Sequence, residues 1–268
     1  MSDLARAQTA AQIAGEKILT YYKRNIKIDY RDNEAVTEAD KQSGAIIISQ
    51  LQNKNYGMIS EEKADDRERM KKEFVWIVDP LDGTTDFIQG TGEFSIMIGL
   101  VHYSRPILGV VYLPLQKKLY FAQTGKGAYL RESGKSPKRL RVSQNHRLDK
   151  AVFLTSRNHY SDDDAYTAKC LRLPKPIKMG SNGVKISLIA EGGADCFFNS
   201  TNRMSEYDSC APDIILHEAG GRVTDKNGRV IHYNKEKPTL PNGLVASNGY
   251  FHDEIIVGMQ DNKKKNSL

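Results

Sequence analysis

Residues 76–87 read W-I-V-D-P-L-D-G-T-T-D-F, an apolar run that closes on two carboxylates three positions apart, a glycine and two threonines. Residues 74–78 have the composition of a strand buried on both faces, and Pro80, which has no N–H for a ladder, is expected to end it. Asp79 and Asp82 then stand at the strand's mouth. Two carboxylates that close raise each other's pKa and share a proton unless a cation keeps both ionised. Ligands that are all oxygen suit magnesium, calcium or manganese. Gly83 lets the backbone approach a ligand closely, and Thr84 and Thr85 add hydroxyls, so N–H and O–H donors can face a phosphate lying on the metal. The same residue types make ordinary turns, and D-x-x-D alone means nothing; the whole run is what points to a metal and phosphate site.

Two aspartates do not complete such a site, and three other segments offer further acids. Residues 36–40, V-T-E-A-D, open an amphipathic stretch with Ile46, Ile47, Ile48 and Leu51 at near-helical spacing. Thr37 is its expected cap and Asp40 lies in its first turn. Residues 58–62, M-I-S-E-E, form a short apolar segment ending in Glu61 and Glu62, a pair that surface solvation would also explain. Residues 206–212, E-Y-D-S-C-A-P, precede Ile214, Ile215, Leu216 and Ala219 and then Gly220-Gly221. That is the pattern of a helix opening on an acid and stopped by glycine.

In order and spacing these segments resemble, over nearly the whole chain, the inositol monophosphatase superfamily of magnesium-dependent, lithium-sensitive phosphatases. Within it the likeness is closest to the CysQ-type 3′(2′),5′-bisphosphate nucleotidases. That narrower likeness lies in T-S-R-N-H at 155–159, G-S-N-G-V-K at 180–185 and F-I-Q-G-T-G-E-F-S-I-M-I at 87–98. Two positions depart from the pattern: Tyr207, where tryptophan usually precedes the metal aspartate, and Thr85-Asp86, where nucleotidases often carry lysine and glutamate.

The resemblance implies an α+β fold, a layered α-β-α-β-α sandwich of the inositol monophosphatase or sugar phosphatase type, with the active site between its halves. It implies that Glu61, Asp79 and the carbonyl of Leu81 hold one magnesium and that Asp79, Asp82 and Asp208 hold a second. Two or three ions per site are expected, with manganese as a substitute. Two cations about 4 Å apart favour in-line displacement by activating the attacking water and neutralising the leaving oxygen. Glu61 and Thr84 would orient and deprotonate that water, Asp40 would accept from the Thr84 hydroxyl, and the amides of Gly83 and Thr84 would bind phosphate. Glu62 is read as a neighbouring or surface acid. The remaining substrate contacts are expected from Ser156, Arg157, His159, Gly180, Ser181, Lys185 and Asp208, with Lys185, Arg157 and His159 the candidates for a second phosphate. A loop such as G-S-N-G at a helix start can also take an anion through its amides. The implied activity is removal of the 3′-phosphate of 3′-phosphoadenosine 5′-phosphate; the alternatives are inositol monophosphatase or fructose-1,6-bisphosphatase activity, or a phosphate or nucleotide sensor without turnover.

These side chains have to be positioned by a mixed α and β chain without repeats. Residues 4–22 and 37–52 read as helices. Residues 94–102, 106–113 and 117–123 read as successive antiparallel strands with turns at Ser104-Arg105-Pro106 and Pro114-Leu115-Gln116. A polar, basic stretch at 135–150 marks a boundary, giving an N-terminal subdomain at 1–148 with most metal ligands and a C-terminal subdomain at 149–268 with substrate contacts and the last metal aspartate. In the latter, 151–155 and 194–198 read as strands, and 162–171 and 184–190 as helices. The 268 residues suffice for a sizeable core, and the net charge of +6 favours anionic ligands. Part of that charge is Lys263-Lys264-Lys265, expected to be a disordered tail, so no nucleic-acid surface is inferred. Cys170, Cys196 and Cys210 suit reduced, buried thiols. No apolar run approaches the ~20 residues of a membrane span. The expectation is a cytoplasmic monomer or homodimer acting on a small phosphate ester.

Overall fold

The computed structural model describes residues 1–31, 34–65 and 67–265. Among the described residues seven α-helices are formed: α1 (Asp3–Leu19), α2 (Glu38–Leu51), α3 (Thr84–Gln89), α4 (Asp162–Cys170), α5 (Asn182–Ala190), α6 (Cys210–Glu218) and α7 (His252–Lys265). In α1, Ala7, Ala10, Ala11, Ala14 and Ile18 recur at spacings of three and four, which gathers them on one buried face. α2 starts on a reciprocal cap: Thr37 Oγ1 accepts from Ala39 N at 3.1 Å while Asp40 Oδ2 accepts from Thr37 N at 2.7 Å. α6 stops where expected, with Gly220 at φ +95° and the amide of Gly221 donating to the Leu216 carbonyl at 2.9 Å.

The strands are β1 (Ile28–Arg31) and β2 (Glu34–Thr37), which pair with each other; β3 (Tyr56–Ser60), β4 (Phe74–Asp82), β5 (Ser95–His102), β6 (Arg105–Leu113), β7 (Lys118–Gln123), β8 (Gly127–Glu132) and β9 (Lys138–Arg139); then β10 (Phe153–Ser156), β11 (Ile177–Met179), β12 (Cys196–Asn199), β13 (Met204–Ser205), β14 (Arg222–Thr224), β15 (Thr239–Leu240) and β16 (Leu244–Ser247). β3 to β9 make a seven-stranded sheet in chain order, antiparallel except for the parallel β3–β4 pair. The second sheet has the order β11-β10-β12-β16-β14.

Alternation along the strands sorts the core into layers. Trp76 and Val78 face α1 and α2, while Val75 and Ile77 face a middle layer of α5 and α6 with Val184, Ile186, Ile189, Ile214 and Ile215. Beyond the second sheet, Phe153, Phe198 and Val245 pack on Ala168 of α4 and on Ile255, Ile256 and Met259 of α7. The result is the expected α-β-α-β-α sandwich.

Three expectations are corrected. Pro80 does not end β4: the strand runs to Asp82, because a bulge between Asp79 and Asp82 sets three steps of β4 against two of β5, from Met97 to Ser95. A bulge leaves residues out of the ladder and so tolerates a proline without its N–H. Lys263, Lys264 and Lys265 continue α7 rather than forming a disordered tail, in keeping with the high helix propensity of lysine. Cys196 and Cys210 are buried as expected, whereas Cys170, on the last residue of α4, is exposed; all three are free thiols. Among the described residues no helix is long and apolar enough to cross a membrane.

Candidate active site

Parallel pairing of β3 with β4 puts Ser60 opposite Val78, so the residues that follow, Glu61 and Asp79, emerge side by side from the same edge of the sheet. The Glu61 amide still donates to the Val78 carbonyl, at 3.3 Å. Asp82 comes to the same place from the far side of the bulge, and Asp208 from a single 3-10 turn, residues 206–208, braced by Asp208 Oδ2 accepting from Ser205 N at 2.6 Å. Asp79, Asp82 and Asp208 each present an oxygen within 4.8 Å of the others. Glu61 stands outside that group of three but shares a hydrogen bond with Asp79.

Such crowding is costly without a cation. Burial, then the charges of Glu61, Asp82 and Asp208, push the Asp79 carboxyl well above the carboxylate range. Burial and then Asp208 do the same to Glu61, and burial carries Asp208 up to about 8. Carboxylates crowded together, buried at Asp79 and Asp82 and half-buried at Glu61 and Asp208, that repel one another and offer oxygen alone fit magnesium or manganese.

Around them the hydrogen bonds are directional. Thr84 Oγ1 lies 2.8 Å from Asp40 Oδ1 and 3.0 Å from the Leu81 carbonyl, so its proton is engaged and its lone pairs remain free to accept. The other Asp40 oxygen is held by Thr37. Gly83 takes φ +90°, a conformation that favours glycine, and turns the chain into α3, whose first-turn amides lack helical acceptors.

Asp82 Oδ2 receives Ser95 Oγ at 3.2 Å, the Gly183 amide at 2.8 Å and the Ser181 hydroxyl. Ser181 also caps α5 through Val184 N at 3.1 Å. A Cβ on Gly183 would collide with Ser95 Oγ and approach Met97 Sδ to 2.9 Å, so only glycine allows this helix start against β5. We expect Gly183→Ala to lower stability by about 1–3 kcal/mol and to lower activity as well, since Ser95 and Asp82 must shift. Urea unfolding and phosphate release check this; an unchanged midpoint with full activity would contradict it.

These residues line one cleft of about 580 Å³, a size suited to a small phosphate ester. Ser156, His159, Gly180, Ser181 and Lys185 lie along it, as do Glu61, Asp79, Leu81, Asp82, Gly83, Thr84 and Asp208. Arg157 does not: its guanidinium donates to Asp86 Oδ1 at 3.0 Å and to Glu93. The Lys185 ammonium is turned onto the carbonyls of Gly180 and Ser181, the latter at 3.1 Å, and burial lowers its pKa to about 8. Glu62 pairs with Arg31 at 2.9 Å, beside the site but not in it. Sequence reasoning did not single out Ser95, Tyr30, Glu34 or Arg203, all of them at the cleft or on its ligands. A serine opening a strand after F-I-Q-G-T-G-E-F is the one local signal that was present.

Five alternating layers and an acid-lined cleft at the mouth of β4 define the class of protein, a phosphatase of the layered α+β type. The Inositol monophosphatase family model matches residues 1–264, and the chain belongs to that family, whose enzymes use magnesium. Among its relatives, the 3′(2′),5′-bisphosphate nucleotidase CysQ of Aggregatibacter actinomycetemcomitans is 31% identical over 243 residues, covering 88% of this chain and 89% of that protein. The fructose-1,6-bisphosphatase/inositol-1-monophosphatase of Thermotoga maritima is 31% identical over 230 residues, with 83% and 81% covered. The crystal structure of CysQ from Bacteroides thetaiotaomicron superimposes with a TM-score of 0.77 at 31% identity, over 92% of this chain and 97% of that one.

Proposed function

We propose that the chain is a magnesium-dependent phosphomonoesterase that removes the 3′-phosphate of 3′-phosphoadenosine 5′-phosphate, releasing AMP and inorganic phosphate. The observation that carries the chemistry is the convergence of Asp79, Asp82 and Asp208 beside the Thr84–Asp40 pair. The nucleotide choice is supported by the CysQ relatives.

Bound magnesium supplies Lewis acidity toward the phosphate ester and lowers the pKa of water. Glu61, Asp79, Asp82, Asp208 and the Leu81 carbonyl are the residues that hold it. Thr84 Oγ1, having engaged its own proton, accepts one from the attacking water, and Asp40 fixes the direction of that acceptance. Burial raises the Asp40 pKa, which suits it to receive a proton through the Thr84 hydroxyl. Glu61, beside Asp79 at the mouth of the strand, is the second acceptor. The free amides after Gly83 meet the phosphate oxygens.

A second reading, hydrolysis of an inositol monophosphate or of fructose 1,6-bisphosphate, is favoured by the equal identity of the Thermotoga relative. A sensor without turnover would have no use for the Glu61 and Thr84–Asp40 arrangement. The test is phosphate release from 3′-phosphoadenosine 5′-phosphate, AMP, inositol 1-phosphate and fructose 1,6-bisphosphate in magnesium, repeated with lithium against potassium at equal ionic strength. We expect the highest kcat/KM on the bisphosphate nucleotide, little turnover of AMP and inhibition by lithium. Faster release from inositol phosphate or the sugar bisphosphate would sink the nucleotidase reading, and no release from any would sink the enzyme.

A further inference from the structure

The cleft is lined by six acids, Glu34, Glu61, Asp79, Asp82, Asp86 and Asp208, of which Asp86 is paired with Arg157, against two basic side chains, Lys185 and Arg203. Metal ions held by Glu61, Asp79, Asp82 and Asp208 would compensate those acids and face the reacting phosphate. Any further negative charge on the substrate meets a hostile field unless a cation faces it.

The cations differ in what they have left to give. Arg157 is neutralised by Asp86 and Glu93, and capturing a ligand there means breaking two ion pairs. Lys185 sits beneath the Gly180–Ser181 loop, 4.8 Å from the centroid of Phe197, with its N–H groups on backbone carbonyls. Arg203 is exposed, lines the cleft, and has no carboxylate partner among the described residues. It shares the cleft wall with His159, whose pKa is lowered by burial, with Glu34 opposing and Arg203 adding to the shift. Its position is also fixed. It immediately precedes β13, whose pairing with β15 leads into the turn that carries Asp208. Arg203 and Asp208 are five positions apart in the chain, so their backbones are at most about 17 Å apart.

We propose that Arg203 is the specificity-determining residue that receives a second, non-reacting phosphate of the substrate, with His159 beside it. This rests on the phosphomonoesterase reading above but not on the nucleotide. A free guanidinium presents a planar fork that binds phosphate through two parallel hydrogen bonds, and it surrenders no existing ion pair in doing so. Its exposure also means that replacing it leaves no cavity.

The test compares substrates in matched pairs, with and without the second phosphate: 3′-phosphoadenosine 5′-phosphate against adenosine 3′-phosphate, and fructose 1,6-bisphosphate against fructose 1-phosphate. Wild type should prefer the bisphosphate member of at least one pair. Arg203→Ala should reduce that preference about ten- to a hundredfold, through KM rather than kcat, and Arg203→Lys should restore part of it. An equal loss on both members of each pair, or a wild type indifferent to the second phosphate in both, overturns the proposal. If the preferred pair is the sugar and Arg203→Ala narrows it, the nucleotidase reading fails and Arg203 stands. If no compound turns over, calorimetric binding of the same pairs decides it: Arg203→Ala must narrow the affinity gap, and an unchanged gap overturns the assignment.

Discussion

Asp79→Asn should lower kcat by about 10³-fold or more while leaving the metal-free protein at least as stable as wild type. The two effects have opposite signs for one reason. Asp79 is 2% exposed and surrounded by Glu61, Asp82 and Asp208, so without a cation its charge is a liability. Asparagine keeps the shape and the carbonyl oxygen that accepts from Leu81 N, at 3.1 Å in the parent, but removes one repelling charge. It also removes the carboxylate expected to serve both metal ions. Phosphate release at saturating magnesium and thermal melts in chelator measure the two sides. Turnover within tenfold of wild type would sink the two-metal assignment, and a variant that fails to fold would sink the electrostatic account.

In chelator, Tm should fall as pH rises from about 6.5 to 8, and magnesium should restore it by an increment that grows over the same window. The folded-state pKa of Asp208 is about 8 against 3.8 for the free group, so between those values the folded chain holds a proton that the unfolded chain has lost. Stability from that proton is complete at low pH and drains away as pH climbs. Glu61 and Asp79 are raised in the same direction. The lower limit is set by His252, buried between Thr224 and Ser247 with its pKa down at about 4, which acts with opposite sign below the histidine range. The upper limit is set by Lys185, also lowered to about 8, which acts with opposite sign above it. Inside the window each such carboxyl contributes about 1.4 kcal/mol per pH unit, or about 2–4 °C in Tm. Asp208→Asn should flatten the slope. A metal-free Tm that rises from pH 6.5 to 8 would overturn the assignment.

How much of this was legible in the sequence depends on the range of the interaction. The Thr37 cap, the Gly220 stop, the buried run before Asp79 and the acids themselves are local patterns, and each is read from a few neighbouring residues. Arg157 is a candidate for a second phosphate in sequence, and no local pattern shows that it is already paired, because its partners, Asp86 and Glu93, lie 71 and 64 positions away. Lys185 looks in sequence like a lysine at an anion-binding loop; its burial under that loop follows from packing against Phe197, which no local pattern encodes. Arg203 sits in N-S-T-N-R-M, an unremarkable polar stretch, and its place in the cleft comes from the β13–β15 pairing. The expected end of β4 falls too early because a proline alone signals a terminator, whereas the bulge between Asp79 and Asp82 accommodates it within the strand.

The irregularity at Pro80 also settles a matter of parity. In an unbroken strand, positions three apart point to opposite faces, so Asp79 and Asp82 would be divided between the cleft and the helix-covered side. The added residue turns the odd interval into an even one: Asp79 and Asp82 stand opposite Met97 and Ser95, two positions that share a face. Leu81 takes the complementary path and joins Trp76 and Val78 beneath α1 and α2. A segment that healed into regular pleating would keep every ligand in the sequence and still hand one of the carboxylates to the hydrocarbon side.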